Sequence, residues 1–340
     1  MLRNEVRPVI YYYNPNIFPE EEYLIRKREC SRYAQSLGLE IIDGDYDHAS
    51  WQCAIRGQED APERGARCLA CFRMRLLSAA RMCKQRGLLT FTTTLASSRW
   101  KRLDQISEAG HWAAQEVGGV HFDDRNWRKG GLQQRRTELI RTNGFYNQVF
   151  CGCEYSLHAR ELQMQKAELR QWIRQLKAAR SPQWRVETSL DLCRRLLDTT
   201  GWKQARTILL YHSLPDEVDT MLLLSEGVKQ GKRVLLPRVV GDILELCSYQ
   251  PSSLTSGAYG IMEPLGDIFP QDYYSEIDLA VVPGMAFTPD GVRLGRGKGY
   301  YDRLLPLLSD AYKVGLCFPF QLLDYIPSEP HDVLMDEILQ

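Results

Sequence analysis

The sequence predicts an α/β protein of two domains, each a parallel sheet with helices on its faces. Short apolar runs rich in β-branched and aromatic residues alternate with longer amphipathic stretches. The 340 residues, 44% hydrophobic and 25% charged, suffice for roughly two cores. Between two such alternating series lies a segment, 158–180, with no Pro or Gly and with apolar residues at helical spacing, which reads as a helix joining the domains.

In the front half, 9–13 (VIYYY) is strand-like and closes on the turn Asn14-Pro15-Asn16, and 20–37 is a charged amphipathic helix. Strands at 39–42, 88–93 and 120–122 alternate with helices near 67–86, 103–117 and 132–141. The joining helix breaks at Ser181-Pro182. After it come a helix near 184–197, a strand at 207–212, a helix near 219–230, and strands at 233–237, 244–249 and 277–283. A glycine-rich loop, a helix near 300–308 and a strand near 313–317 complete the second series.

Charge and cysteine content narrow the function. Lys+Arg and Asp+Glu both number 43. Residues 1–160 hold 24 basic against 19 acidic side chains, and 161–340 hold 19 against 24. The basic front is compatible with RNA binding or with an ordinary solvated surface. No apolar stretch approaches the roughly 20 residues that span a bilayer, and the first residues lack a secretory h-region, so a cytoplasmic location and no membrane partner are expected. Seven of the ten cysteines lie in the front half, and close pairs in a reducing compartment point to metal or redox chemistry.

Two constellations carry chemistry. In RLGRGKGYYD, Gly295, Gly297 and Gly299 let backbone approach an anion, Arg296 and Lys298 neutralise phosphate, and Asp302 can hold Mg²⁺. The glycine spacing alone suits a tight turn equally well. No Walker lysine followed by Ser or Thr is present, and no apolar strand runs straight into the glycines. In the front half, CLAC (Cys68, Cys71) and CGC (Cys151, Cys153) supply four thiols in two tight pairs. On the residues alone they suit a structural zinc site slightly better than an iron–sulfur cluster.

From Lys166 to Leu339 the chain resembles the 5-formyltetrahydrofolate cyclo-ligases, also called methenyltetrahydrofolate synthetases. The resemblance rests on KAELR (166–170), YHSLPDEVDT (211–220), KRVLLPRV (232–239), YGIMEP (259–264), VVPGMAFTPDGVRLGRGKGYYDR (281–303) and HDVLMDEIL (331–339), in that order. It implies ATP-dependent closure of 5-formyltetrahydrofolate to 5,10-methenyltetrahydrofolate. Lys166, Arg170, Gly295, Arg296, Gly297, Lys298, Gly299, Tyr300, Tyr301 and Asp302 would bind ATP, with Arg296 and Lys298 catalytic. Glu217 and Tyr259 would bind folate, and Asp302 with Asp332 would hold Mg²⁺. On residues alone, Lys166 and Arg170 also suit a solvated helix face, Glu217 a helix cap and Asp332 a turn.

Residues 9–157 resemble the QueH type of epoxyqueuosine reductase. The matching stretches are YYYNPNIFPEEEYLIRK (11–27), DYDHASW (45–51), EDAPERGARCLACFRMRL (59–76), SSRWK (97–101), NWRKGG (126–131) and FYNQVFCGCEYSL (145–157). The resemblance implies reduction of epoxyqueuosine to queuosine in tRNA, a [4Fe–4S] cluster on Cys68, Cys71, Cys151 and Cys153 with an additional iron, and an external electron donor. Asp45 suits either an acidic metal ligand or a strand-end turn. Arg99, Lys101, Arg128 and Lys129 are candidates for the tRNA backbone, with Trp100 and Trp127 for stacking. The family's opening strand and Cys-Cys motif would stand ahead of Met1, and the reductase would be impaired without them. A misplaced start of the chain is the expectation, with decay into a scaffold the alternative.

The combined expectation is two Rossmann-like α/β domains, 1–157 and 158–340, the first lacking its opening strand, forming a bifunctional enzyme. The runner-up is a cyclo-ligase whose front module binds metal or RNA without catalysis. A third reading, a sugar-phosphate or CoA enzyme on a similar scaffold, predicts no ATP hydrolysis dependent on 5-formyltetrahydrofolate.

Overall fold

A computed structural model describes residues 6–98, 101–257, 260, 262–329 and 332–340. The chain divides into two compact units, Met1–Glu161 and Leu162–Gln340.

Unit 1 runs β1 (Ile10–Tyr12), α1 (Glu20–Ser36), β2 (Ile41–Asp43), α2 (His48–Ala54), α3 (Ala66–Gln85), β3 (Thr90–Phe91), α4 (Leu103–Val117), β4 (His121–Phe122) and α5 (Leu132–Asn143). Its described strands form two separate parallel pairs, β1–β2 and β3–β4. The short helix α2 was not anticipated. Its start is set by Asp47, whose side chain accepts from Ser50 N at 2.9 Å. The main core lies between α3 and α4, where Phe72, Leu76, Ala80, Ile106, Ala109 and Ala113 close on Phe91 and Phe122. Gly110 lets α4 approach β4: a Cβ there would stand 2.2 Å from the Phe122 ring.

The helix α6 (Glu154–Ala178) extends across the division between the units. Unit 2 continues with α7 (Pro182–Asp198), α8 (Thr200–Gln204), β5 (Thr207–Leu209), α9 (Met221–Lys229), β6 (Arg233–Val240), β7 (Ile243–Ser248), β8 (Leu254–Ser256), β9 (Met262–Pro264), β10 (Leu279–Val282), β11 (Ala286–Phe287), β12 (Arg293–Leu294), α10 (Tyr300–Leu304), β13 (Tyr312–Leu316) and β14 (Glu337–Leu339). Ser181 caps α7 by accepting from Trp184 N at 3.1 Å, and Pro182 occupies the first turn, where a missing N–H costs nothing.

The six-stranded sheet has the order β14-β13-β10-β5-β6-β7, all parallel except β7. A parallel strand covered on both faces reads as a continuous apolar run, as LAVV of β10 does. Its residues alternate between two cores: Leu279 and Val281 pack with α7 and α9, while Ala280 and Val282 pack with Leu304, Leu305 and Phe287. From β5 the chain builds outward through β6 to β7, then returns to lay β10 on the other side of β5. The strand order therefore reverses between β5 and β10, where the loops after two neighbouring parallel strands diverge and leave a crevice.

Gly110→Ala should force Phe122 or α4 to shift, at a cost of about 1–3 kcal/mol. Faster hydrogen exchange in α4, with unchanged protection in the sheet of unit 2, is the expected result.

Candidate functional sites

In unit 2 the crevice is lined by the loop after β5, which carries Asp216 and Glu217, and by the glycine-rich loop after β12. The two loops meet through one guanidinium. Arg296 Nε donates to Glu217 Oε1 at 2.9 Å, and its Nη2 to Asp216 Oδ1 at 2.6 Å. Glu217 is held in turn by Leu214 N, 3.0 Å from its Oε2, and does not cap α9, whose N-cap is Thr220 with Asp219 Oδ1 accepting from Met221 N just ahead of the helix. Burial works against the Arg296 charge, but Glu217 and Asp216 outweigh it and hold the guanidinium's pKa above its usual value. Burial likewise opposes ionisation of Asp216, yet Lys177 and Arg296 together keep that carboxyl below the ordinary range.

The helix α6 supplies the third wall. Lys166, Arg170, Ile173 and Lys177 follow a three-to-four residue spacing and share one face. Ile173 is fully buried against Met285, Ala286, Val292 and Leu294 of the β11–β12 hairpin. That packing aims Arg170 at the glycine loop, where its Nε donates to Gly295 O at 2.8 Å. Gly297, at φ +96°, passes so near that a Cβ would lie 3.4 Å from Arg170 Cζ, and Gly299, at φ +70°, turns the chain into α10. Lys166 Nζ stands 3.4 Å from Asp332 Oδ2, the oxygen that also accepts Glu329 N within a turn.

Asp302 is ion-paired with Arg293, a nearly buried cation that also feels the charge of Asp332. Arg293 Nε and Tyr301 Oη are buried with no hydrogen-bond partner among the described residues, and burial drives the Tyr301 hydroxyl pKa up. Orphaned donors beside a cationic, glycine-rich loop suit a polyanionic ligand. Tyr300 donates to Gly241 O at 3.3 Å and lies under the Arg303 guanidinium. Lys298 sits on the loop between Gly297 and Gly299, its carbonyl accepting from Arg303. Tyr259 falls outside the described residues. Lys177 and Asp216 were not singled out in the sequence, although the helical stripe beginning at Lys166 and Arg170 extends to Lys177.

In unit 1, Cys68 and Cys71 occupy the opening turns of α3, and Cys151 and Cys153 lie just ahead of α6. The loop bearing the second pair is tied down by buried Arg26, which pairs with Glu22 at 2.7 Å and donates to the carbonyls of Phe150 and Cys151. Gly152, at φ +121°, passes against Arg26 and Ile17, where a Cβ would meet both at 3.1 Å. This explains the glycine of CGC. Lys101 Nζ reaches Cys151 Sγ at 2.6 Å and Glu63 at 3.3 Å, so this lysine faces the thiols and is only 8% exposed. The hydrogen bond from Cys153 drives the Cys151 thiol pKa down, against burial and with help from Lys101. Burial pushes Cys68 and Cys71 up, and the Cys151 charge adds to that in each.

All four thiols thus share one neighbourhood, and soft sulfur donors are of the kind that iron–sulfur and zinc centres use. As arranged, no group of three or more His, Cys, Asp or Glu among the described residues is close enough to hold a metal ion. Asp45 is exposed, near Tyr13 and Tyr23. Arg128 donates to the carbonyls of Ala96 and Lys101 and so braces a loop, while Trp127 donates to Thr92. Arg99 and Trp100 lie outside the described residues. No described helix is long and apolar enough to cross a membrane.

A cationic glycine loop at the reversal point of a parallel sheet, and two thiol pairs in a separate α/β unit, define a two-unit α/β protein with a distinct site in each unit. Residues 1–159 match the model of the family "Epoxyqueuosine reductase QueH", and residues 162–340 that of the "5-formyltetrahydrofolate cyclo-ligase family". The QueH protein of Histophilus somni is 49% identical over 148 residues, covering 44% of this chain and 61% of that protein. That of Acinetobacter baylyi is 44% identical, covering 44% of this chain and 68% of its own length. The 5-formyltetrahydrofolate cyclo-ligase of Mus musculus is 32% identical over 187 residues, covering 51% of this chain and 90% of its own. The chain belongs to both families, QueH in its first unit and 5-formyltetrahydrofolate cyclo-ligase in its second. It spans 61% and 64% of the first two QueH relatives it matches.

Because the folded Asp216 carboxyl is depressed, its stabilising effect is present above the ordinary value of 3.8 and is lost as pH falls through its folded value. Asp216→Asn should therefore flatten the acid limb of stability from about pH 5 downward. Denaturant midpoints measured across that range check this; identical slopes would mean the carboxylate is not ion-paired in solution.

Proposed function

We propose that the second unit closes 5-formyltetrahydrofolate to 5,10-methenyltetrahydrofolate at the expense of ATP, and that the first unit reduces epoxyqueuosine in tRNA to queuosine. The observation that carries the first reading is the Arg296 bridge: one side chain joins the loop suited to phosphates to the carboxylate suited to folate. In phosphoryl transfer the protein's contribution is mainly positioning and charge neutralisation. Arg296, Lys298 and the amides around Gly295, Gly297 and Gly299 neutralise the phosphates, with Lys166 and Arg170 reaching them from α6. Asp302 and Asp332, whose charges both act on Arg293, would hold Mg²⁺, which would neutralise phosphate charge when bound. Once Arg296 turns to phosphate, Glu217 is released to accept a hydrogen bond from the pterin. Tyr259, Tyr300 and Tyr301 offer ring surface to the folate. The formyl oxygen attacks the γ-phosphorus, ADP leaves, N10 closes on the activated carbon, and phosphate departs.

In the first unit Cys68, Cys71, Cys151 and Cys153 would hold a [4Fe–4S] cluster, which would relay one at a time the two electrons of an external donor, with an additional iron as Lewis acid. Lys101 compensates thiolate charge and Arg26 fixes the loop that presents two of the four sulfurs. Lys129 would meet tRNA phosphate, with Arg128 bracing the loop beside it through Ala96 and Lys101. The processes run in the cytoplasm.

ATP consumption dependent on 5-formyltetrahydrofolate, followed with the absorbance of the methenyl product, tests the second unit; no such dependence would favour a different phosphate enzyme. Lys298→Ala should lower turnover by about 10²-fold, the scale of a lost electrostatic donor in a transition state; unchanged turnover would remove Lys298 from the site. Cys151→Ala should abolish cluster absorbance after anaerobic reconstitution while sparing folate-dependent ATP use. Zinc and no colour in the parent chain would favour a non-catalytic first unit.

A further inference from the structure

Lys177 is a buried cation that the proposed reaction leaves without a task. Its side chain is 3% exposed, and its Nζ lies 3.2 Å from Asp216 Oδ2. The other oxygen of Asp216 receives Arg296. One carboxylate therefore holds two cations, one buried on α6 and one on the glycine loop. Glu217 shares only the second of these, and its remaining oxygen is used by Leu214 N.

We propose that Lys177 is a positioning residue that sets how readily Arg296 leaves Asp216 and Glu217 for a nucleotide phosphate, so that binding the nucleotide and freeing Glu217 become one event. This rests on the reading of the glycine loop as the phosphate site. A guanidinium cannot face both carboxylates and an incoming phosphate with the same donors, so the carboxylates must be given up. Leaving a partly buried carboxylate without a cation is costly. Lys177 removes that cost at Asp216, because it stays when Arg296 departs. Among the described residues Glu217 has no second cation within ion-pair distance and feels Lys177 only at longer range, so it is the carboxylate left seeking a donor, which the folate provides. The burial of Lys177 supports this: burial presses its amine pKa below the usual lysine value, with Asp216 the leading opposing influence.

Calorimetric titration of the full chain with Mg²⁺ and adenylyl-imidodiphosphate, a non-hydrolysable ATP analogue, reads the effect without turnover. Lys177→Met should weaken binding by about 10-fold, as expected if the share of molecules with Arg296 free falls tenfold. Asp216→Asn should bind at least as tightly as the parent, and adding it to Lys177→Met should restore affinity. Lys177→Arg, which keeps the charge, should restore it as well, and serves if Lys177→Met does not fold. Equal weakening in Lys177→Met and the double variant would show a merely structural lysine and overturn the proposal. So would unchanged affinity in Lys177→Met while Arg296→Ala binds weakly. If Arg296→Ala itself binds like the parent, the phosphate reading of the loop falls, and this inference with it.

Discussion

The second unit is organised around a guanidinium shared by two carboxylates. Arg296 lies between Asp216 and Glu217 because the sheet reverses its strand order between β5 and β10, which brings a loop near residue 216 against a loop near residue 296. Neither carboxylate nor the guanidinium would be stable half-buried alone, since an uncompensated charge out of water is penalised heavily. The ion pairs therefore hold the crevice in a defined shape before any ligand arrives. The same arrangement recurs around it: Arg293 faces Asp302, and Lys166 faces Asp332. Each of these cations is thus kept in place by an internal acid.

The helix α6 makes this possible in mechanical terms. Its apolar residue Ile173 is anchored under the β11–β12 hairpin, and the basic residues one turn to either side, Arg170 and Lys177, are thereby directed into the crevice. A rigid helix positions long, flexible side chains more accurately than a loop would, because its backbone does not add its own freedom to theirs.

Charge compensation also shapes the first unit, with the opposite sign of problem. Closely spaced thiols that are to lose protons need cations and donors nearby. Lys101 provides the charge beside Cys151, Cys153 provides a hydrogen bond, and Arg26 locks the backbone that carries both. Glycine suits the position between them because its φ of +121° is one that side chains rarely adopt and an added Cβ would stand 3.1 Å from that arginine.

Much of this was legible from the residues. Alternating apolar runs and amphipathic stretches located the long helices to within a few positions, because a buried stripe must repeat with the backbone's own period. The run at 277–283 marked a strand, and Ser181-Pro182 marked the end of the joining helix. The glycine loop and the paired cysteines drew attention to two loops through residue type and spacing. Pairings across long separations were not available in the same way. That Arg296 would meet Asp216 and Glu217, that Lys177 would be buried beneath them, and that Lys101 would turn inward to a thiol all depend on which strands lie side by side. Sequence patterns report a residue's relation to its own helix or strand; only the packed fold determines which charge finds which partner across 39 to 80 positions.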